Sequence, residues 1–280
     1  MLNEKAMISV LNIRTWSARK YDRAVSKDVT GIYNTKEDSG RWNKLLISGD
    51  ENKTIQKIAR DARSYHKYHT WPWDNAGGGI LPTKSFYKYS EMMNQFKEDY
   101  EHQVKQFIRQ YPVLRENERS RLGRMYKEED YPDLSEIGNK YSFDVYMYPI
   151  PEKDDLRLSL NADDVENIKI KLEKVIYNRI NGGMKDLWNR LYMVVQPMVD
   201  RLSNEDNKFK NTLVTNITKL CETMPDLNIL EDEELNAMTK KIYDKLTKFS
   251  PEDLRENTDI RNDTMLEAKR ILDNLRGYIK

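Results

Sequence analysis

A stripe of mostly aromatic residues limits the folds open to this chain more than any other feature. Phe86, Tyr89, Met93, Phe96, Tyr100, Gln103 and Phe107 recur at intervals of three and four. Held over about three heptads, that period puts them on one face of a long helix, which needs an apolar surface to lie against. The spacing predicts a packing helix that closes at Tyr111–Pro112, followed by a shorter helix over Arg115–Tyr126. Lys53 to His69 shows the same period. Ile55, Ile58, Ala59, Ala62, His66 and His69 share one face, and Lys53, Lys57, Arg60 and Lys67 share the other. Pro72 ends that run, because proline cannot continue the hydrogen-bond ladder.

The C-terminal half is helical by the same argument. Asn161 or Asp163 caps a long run through Val165, Ile168, Leu172, Ile176, Leu187, Leu191, Met198 and Leu202. Gly182–Gly183 and Pro197 predict a break or kink in it. Further helices are expected over Phe209–Thr223, Asp232–Phe249 and Ile260–Tyr278. Ser17–Val29 reads as a short helix, and Trp42 to Ile47 as a helical turn.

Two segments have strand character instead. Met7–Trp16 and Tyr141–Tyr148 (YSFDVYMY) are rich in β-branched and aromatic residues, and Leu156, Leu158 and Leu160 alternate in DLRLSL. The last two form a hairpin-like pair that Met7–Trp16 can join. So small a sheet needs helices on one face. The expected fold is therefore α+β and predominantly helical, with a small two- or three-stranded antiparallel sheet packed against long helices. Residues 1–161 read as a mixed α/β region and residues 162–280 as a helical region. Strand pairing across the chain makes them one cooperative unit.

The composition supports an ordered core: 33% of the 280 residues are charged and 38% hydrophobic. No stretch has the length and apolarity of a membrane span, and MLNEKAMISV lacks the apolar centre of a signal peptide. The single cysteine, Cys221, excludes an internal disulfide, and its spacing from Ile217 and Leu220 places it in a core. A cytoplasmic protein is expected, with no membrane partner.

The charge is uneven. Residues 1–70 carry 14 Lys and Arg against 8 Asp and Glu, whereas residues 131–280 carry 23 against 28. A polyanion would meet the basic front. There Arg14, Trp16, Arg19, Lys20 and Arg23 cluster first, then Arg41, Trp42 and Lys44, then Lys53, Lys57, Arg60, Arg63 and Lys67. Interleaved cations and aromatics can follow a phosphate backbone and stack bases. Arg14, Trp16, Arg19, Lys20, Lys53, Lys57, Arg60, Arg63 and Lys67 are the candidate nucleic-acid contacts.

Tyr65–Tyr89 (YHKYHTWPWDNAGGGILPTKSFYKY) is the densest segment. Trp71, Trp73, Gly77, Gly78 and Gly79 form a candidate interaction loop, since an aromatic, glycine-rich turn between helices is often a surface loop with a function. GGGILPTKS approaches a phosphate loop, but Thr83 stands where the second glycine belongs and Pro82 lacks a backbone donor. It reads as a flexible turn with Thr83 as helix cap. His66 and His69 are spaced as metal ligands can be, but lack the further ligands a zinc site requires. They are weak candidates, and no metal or other cofactor is expected. No serine or cysteine has a recognisable base nearby in sequence.

HKYHTWPW, GILPTKSFYKY, YPDLSE, YSFDVYMYPIPEKDDLRLSL and DLWNRLY, in that order, resemble a family of uncharacterised tailed-phage and prophage proteins. The resemblance runs over nearly the whole chain and supplies no catalytic residues. It implies phage origin, a cytoplasmic stage in an infected bacterium, and a setting among early genes of DNA replication or recombination. Residues and resemblance together lead to the expectation of a non-enzymatic phage protein. It would self-assemble as a homo-oligomer and engage single- or double-stranded DNA or a replication or recombination partner. One alternative is an inhibitor or adaptor that binds a host protein through the Trp71–Gly79 loop. The other is a metal-dependent enzyme centred on His66 and His69.

Overall fold

The computed structural model describes residues 2–74, 76–152, 161–204 and 207–279. The order along the chain is α1 (Leu2–Lys5), β1 (Ala6–Arg14), β2 (Arg19–Tyr21), α2 (Arg23–Ile32), β3 (Asn43–Leu45), α3 (Asp50–His69), β4 (Trp71–Pro72), β5 (Gly78–Pro82), α4 (Phe86–Leu122), α5 (Leu134–Ile137), β6 (Ser142–Tyr148), α6 (Ala162–Leu202), α7 (Thr212–Leu227), α8 (Glu233–Leu246), α9 (Asp253–Glu256) and α10 (Thr258–Ile279). The fold is α+β and predominantly helical. One sheet has the order β4-β5-β1-β6, and β2 and β3 form a separate antiparallel ribbon. The Leu156–Leu160 strand expected from the sequence lies outside the described residues.

Two compact units emerge. The first contains Met1–Val10, His66–Tyr89 and Tyr146–Lys280; the second contains Leu11–Tyr65 and Ser90–Val145.

In the first unit α6, α7, α8 and α10 share an apolar core with Ile8, Trp71 and Ile80. β5 runs antiparallel to β1, pairing Ile8 with Ile80, and antiparallel to β4, pairing Trp71 with Ile80. The glycine-rich segment is thus a buried strand rather than a flexible turn. Ile80 and Leu81 are fully buried, and a Cβ on Gly79 would fall 2.3 Å from Thr70 Oγ1. Its glycines serve close approach as well as turning. Thr83 is not the cap expected of it: Pro82 takes that position, and the Thr83 hydroxyl donates to the Lys5 carbonyl at 3.0 Å.

Helix α6 runs unbroken through Gly182–Gly183 and Pro197. Gly183 is there for room. A Cβ would sit 2.2 Å from Cε3 of Trp71, whose Nε1 donates to the Leu227 carbonyl at 2.8 Å. From the next turns of α6, Arg190 donates to the carbonyls of Lys67, Tyr68 and Thr70 at 3.0, 2.8 and 2.7 Å. It satisfies the open carbonyls at the end of α3, as a cation at a helix C-terminus does. Arg261 does the same at the end of α6, donating to the carbonyls of Arg201 and Leu202. Pro197 is exposed, so the carbonyl it leaves unpaired can meet water, while its neighbours Val195 and Met198 are fully buried and hold the helix in place.

A polar chain crosses this unit. The Tyr89 hydroxyl lies 3.0 Å from Ser9 Oγ and 2.6 Å from His66 Nδ1. The His66 ring also bonds the backbone of Gly77, and burial pushes its pKa down to about 4. The ring is therefore neutral at physiological pH, which leaves one nitrogen free to accept from the tyrosine.

The second unit is built around aromatic rings. Tyr100, Phe107 and Tyr111 of α4 are almost fully buried. Phe143 lies 5.6 Å from Tyr100, and Tyr141 lies 5.8 Å from Phe107. The Tyr141 hydroxyl donates to Asn52 Oδ1 at 2.9 Å. α4 does not close at Tyr111–Pro112 but continues to Leu122, because Pro112 faces solvent and the buried residues either side keep the helix packed. The segment read as a helical turn near Trp42 is instead β3, paired with β2 through Arg19–Leu45 and Tyr21–Asn43. The Ser17–Val29 helix divides into β2 and α2, since Asp22 caps α2 by accepting from Val25 N at 3.2 Å.

Two outcomes are expected. Gly182→Ala, with nothing within 4 Å, should stabilise the protein by about 0.5–1 kcal/mol. Gly183→Ala should instead cost about 1–3 kcal/mol, because the indole cannot retreat. Urea titrations that gave both variants the same sign would contradict this account. The second outcome concerns pH. Unfolded, His66 takes its proton near pH 6.5; folded, it does so near pH 4. Between these values the unfolded chain binds more protons, so stability is full above pH 6.5 and falls as pH drops toward 4. Burial depresses His69 to about 4 in the same way, so the limiting slope for the two rings together is about 2.8 kcal/mol per unit. Thermal melts should decline before carboxylates titrate, and His66→Gln should remove about half of that decline.

Candidate nucleic-acid interface

The candidate contacts expected from sequence separate into two groups. One group is structural. Trp16 is half-buried, with ring centroids 6.3 Å from Phe107 and 6.0 Å from Tyr111. Its carbonyl accepts from Asn52 and Gln56 at 3.1 and 3.0 Å. Arg14 Nε donates to Ser142 Oγ at 3.1 Å, and Arg63 donates to the Ile13 carbonyl at 2.7 Å. On the polar face of α3, Lys53 pairs with Asp50 at 2.8 Å and Arg60 lies 3.8 Å from Asp61. Lys57 and Lys67 belong to neither group: they are exposed on the same helix and, among the described residues, are in no ion pair.

The other group sits on the excursion formed by β2, α2 and β3. Arg19 and Lys20 are exposed on β2, Arg23 opens α2, and Arg41 and Trp42 lead into β3. Among the described residues, none of these four cations is in an ion pair. Arg41 stands over the Tyr21 ring at 5.8 Å. Trp42 is 47% exposed, Tyr21 45% and Tyr33 73%. Val29, Tyr33, Gly40, Arg41 and Trp42 line a groove of about 280 Å³. Tyr21 and Tyr33 carry no motif, so nothing in the sequence singles them out. The signal that could have found them is the turn-forming Asp38-Ser39-Gly40 just before Trp42 and the strand it leads into.

The excursion is held by a buried ion triad. Lys44 Nζ lies 3.3 Å from Asp22 Oδ2 and 2.5 Å from Asp130 Oδ2, and donates to the Met125 carbonyl at 2.8 Å. Burial alone would lower the Lys44 pKa, but the two carboxylates outweigh it and raise it. Asp22 is held below its usual range by the Val25 N–H first, then by Lys44. Lys44, placed by sequence in the basic cluster, is thus an internal anchor and offers nothing to a ligand. Asp22 N donates to the Trp42 carbonyl at 3.0 Å, and Trp42 N donates to Ser26 Oγ at 2.9 Å. These bonds fix the backbone of the exposed tryptophan against α2.

The Trp71–Gly79 segment is a poor source of contacts. Trp71 is fully buried, and Trp73 is partly buried against the core of the first unit. Gly77, with φ of 102°, makes the turn, and Asp74 Oδ1 closes it by accepting from Ala76 N and Gly78 N, each at 2.8 Å. Gly78 and Gly79 belong to β5. His66 is buried against Tyr89, and His69 packs edge-on against Tyr68 at 5.3 Å. Among the described residues no three His, Cys, Asp or Glu gather as metal ligands would. Cys221 is buried, and that burial raises its thiol pKa to about 12. No helix of the described residues is long and apolar enough to cross a membrane.

The chain matches no protein-family model, no curated protein and no solved structure.

Removing the buried ammonium should reveal the anchor. Lys44→Ala leaves Asp22 and Asp130 without their cation, a change that typically costs about 3–5 kcal/mol. Chemical denaturation should show a loss of that size. A loss below about 1 kcal/mol, the range of a surface pair, would rule out the anchoring role.

Proposed function

We propose that the protein binds single-stranded nucleic acid, without reacting with it, through the groove between α2 and the start of β3. The carrying observation is that groove itself: an exposed tryptophan and tyrosine sit beside Arg41, which has no carboxylate partner among the described residues. Trp42 and Tyr33 offer ring faces to bases. Arg41 would meet a phosphate in the groove, and Arg19, Lys20 and Arg23 of the same excursion would extend the track. Stacking of that kind contributes about 1–3 kcal/mol per base and tolerates any sequence. A duplex keeps its base faces stacked inside, so the groove suits an unpaired strand. The resemblance to phage proteins fits this reading, since replication and recombination expose single strands.

A second reading rests on Ile32, which is 77% exposed, and on Val29 beside it. With Tyr33 and Trp42 they are also the kind of aromatic and aliphatic anchors that a protein partner buries. Salt dependence separates the two, because displaced counterions belong to a polyanion.

Anisotropy of a labelled oligothymidine, titrated at several salt concentrations, tests the proposal. Trp42→Ala should weaken binding roughly 5- to 100-fold with little change in salt slope. Arg41→Ala should reduce the slope by about 0.7 for each phosphate that is no longer neutralised. Lys53→Ala, already paired within α3, is the control and should change little. Unchanged affinity in Trp42→Ala would overturn the groove as the binding site. No salt-dependent binding by the wild type would favour the protein partner.

A further inference from the structure

A second, smaller pocket adjoins the groove on α2. Tyr21, Arg23, Ser26, Lys27, Thr30 and Glu37 line about 50 Å³. Ser26 and Thr30 belong to the wall of the groove as well. Helix geometry accounts for this. Residues 23, 26, 27 and 30 lie on one stripe of α2 and residues 26, 29, 30 and 33 on the next, so the two pockets are neighbours offset by roughly 5 Å along its axis. Arg41 of the groove stands over the ring of Tyr21 in the smaller pocket, 5.8 Å from its centroid, and joins the two from the strand side.

Their chemistry differs. Val29, Tyr33 and Trp42 wall the groove, whereas the smaller pocket is lined by charged and hydroxyl groups. Its volume is little more than the share of one or two waters, about 30 Å³ each, so a base does not enter it. Three groups there can donate: the Arg23 guanidinium, the Lys27 ammonium and the Tyr21 hydroxyl. Among the described residues neither Arg23 nor Lys27 is in an ion pair. The pocket does not depend on the helix end, which Asp22 already caps by accepting from Val25 N at 3.2 Å. The Ser26 hydroxyl is committed too, donating to the Asp22 carbonyl at 2.7 Å and accepting from Trp42 N at 2.9 Å. It ties the wall shared by both pockets to the backbone of the exposed tryptophan. Glu37 is the one carboxylate in the lining, which leaves the pocket one positive charge in excess.

We propose that this pocket receives a phosphate of the strand whose base lies in the groove, with Arg23 and Lys27 as its contacts. The inference rests on the groove reading and adds to it the place of the phosphate: the base lies against Trp42, and the phosphate lies about one turn back along α2. A guanidinium and an ammonium beside a phenol supply charge-assisted hydrogen bonds to phosphate oxygens. Glu37 repels an anion, so the pocket holds free phosphate poorly and relies on the stacked base to bring it. Lys27 stands between Ser26 and Asp28, outside every basic cluster of the sequence.

The test uses the full chain and internally labelled oligothymidines of one length, carrying a 5′-phosphate, a 3′-phosphate or neither. Lys27 is exposed on a helix, so Lys27→Ala should keep the wild-type circular dichroism. It should weaken binding roughly 3- to 10-fold and lower the salt slope by about 0.7. The fluorescence quenching that Trp42→Ala abolishes should remain. Glu37→Gln should act in the opposite direction and tighten binding roughly 2- to 5-fold. Equal losses on all three strands mark an internal phosphate, and a loss confined to one phosphorylated strand marks a terminal one. If Lys27→Ala and Arg23→Ala keep wild-type affinity and slope on every strand while Trp42→Ala still weakens binding, the phosphate pocket is wrong and the groove reading stands. Glu37→Gln that weakens binding overturns the pocket as well. A wild type that binds none of the strands overturns pocket and groove together.

Discussion

The burial of the Trp71 indole sets the terms for the first unit. A ring of that size in a short strand has to be enclosed on every side, and its one polar atom needs an acceptor inside the enclosure. The acceptor is the Leu227 carbonyl at the end of α7, and the space is made by the missing side chain at Gly183 of α6. One side chain therefore fixes the height of α6 and the end of α7 against the sheet. Arg190 is placed as a consequence: two turns beyond Gly183, it reaches the last carbonyls of α3, the helix that delivers the chain to Trp71. The Ser9–Tyr89–His66 chain packs within the same unit, each hydroxyl and ring nitrogen meeting its neighbour. Unpaired polar atoms at such depth would cost more than the bonds contribute, so each member is fixed by the others.

The second unit solves a different problem. A three-residue ribbon and a short helix cannot bury enough apolar surface to stand alone. Lys44 takes over that work. Buried ion groups contribute little net stability compared with apolar packing, but they are intolerant of the wrong geometry. An anchor of that kind positions the backbone at Trp42 while leaving the outer surface of the excursion free of structural duties. Exposed aromatic rings there are not what holds the fold.

Long, periodic elements were legible in the sequence, and so was the fold class. The stripe from Tyr89 to Phe107, the α3 face and the strands at Met7 and Tyr141 all declare themselves through spacing, because packing enforces that spacing along a contiguous run. What sequence could not show depended on distant neighbours. Gly183 and Gly79 look like breaks, yet each makes way for one side chain, Trp71 or Thr70. Pro112 and Pro197 look like stops, yet both face solvent on helices held by their other faces. The candidate site met the same limit. Residue type drew attention to tryptophans and cations, but cannot tell a tryptophan that fills a core from one that faces water. Trp71 is internal and Trp16 half-buried where Trp42 is exposed, and Lys44 is internal where Arg41 is not.

The net charge of +1 adds a constraint on any nucleic-acid reading. The molecule as a whole exerts no long-range pull on a polyanion, so affinity has to arise within about a Debye length, roughly 8 Å at physiological ionic strength. Several cations on the front are neutralised or engaged locally, such as Lys53 by Asp50 and Arg63 by a backbone carbonyl. Of the cations that remain, Lys57 and Lys67 lie exposed on α3, and those of the small excursion can meet few phosphates. Stacking must then supply much of the free energy, which makes the exposed rings more important than the basic count. Binding built this way is weak for one copy and rises steeply when two copies engage one strand, because the second contact is intramolecular.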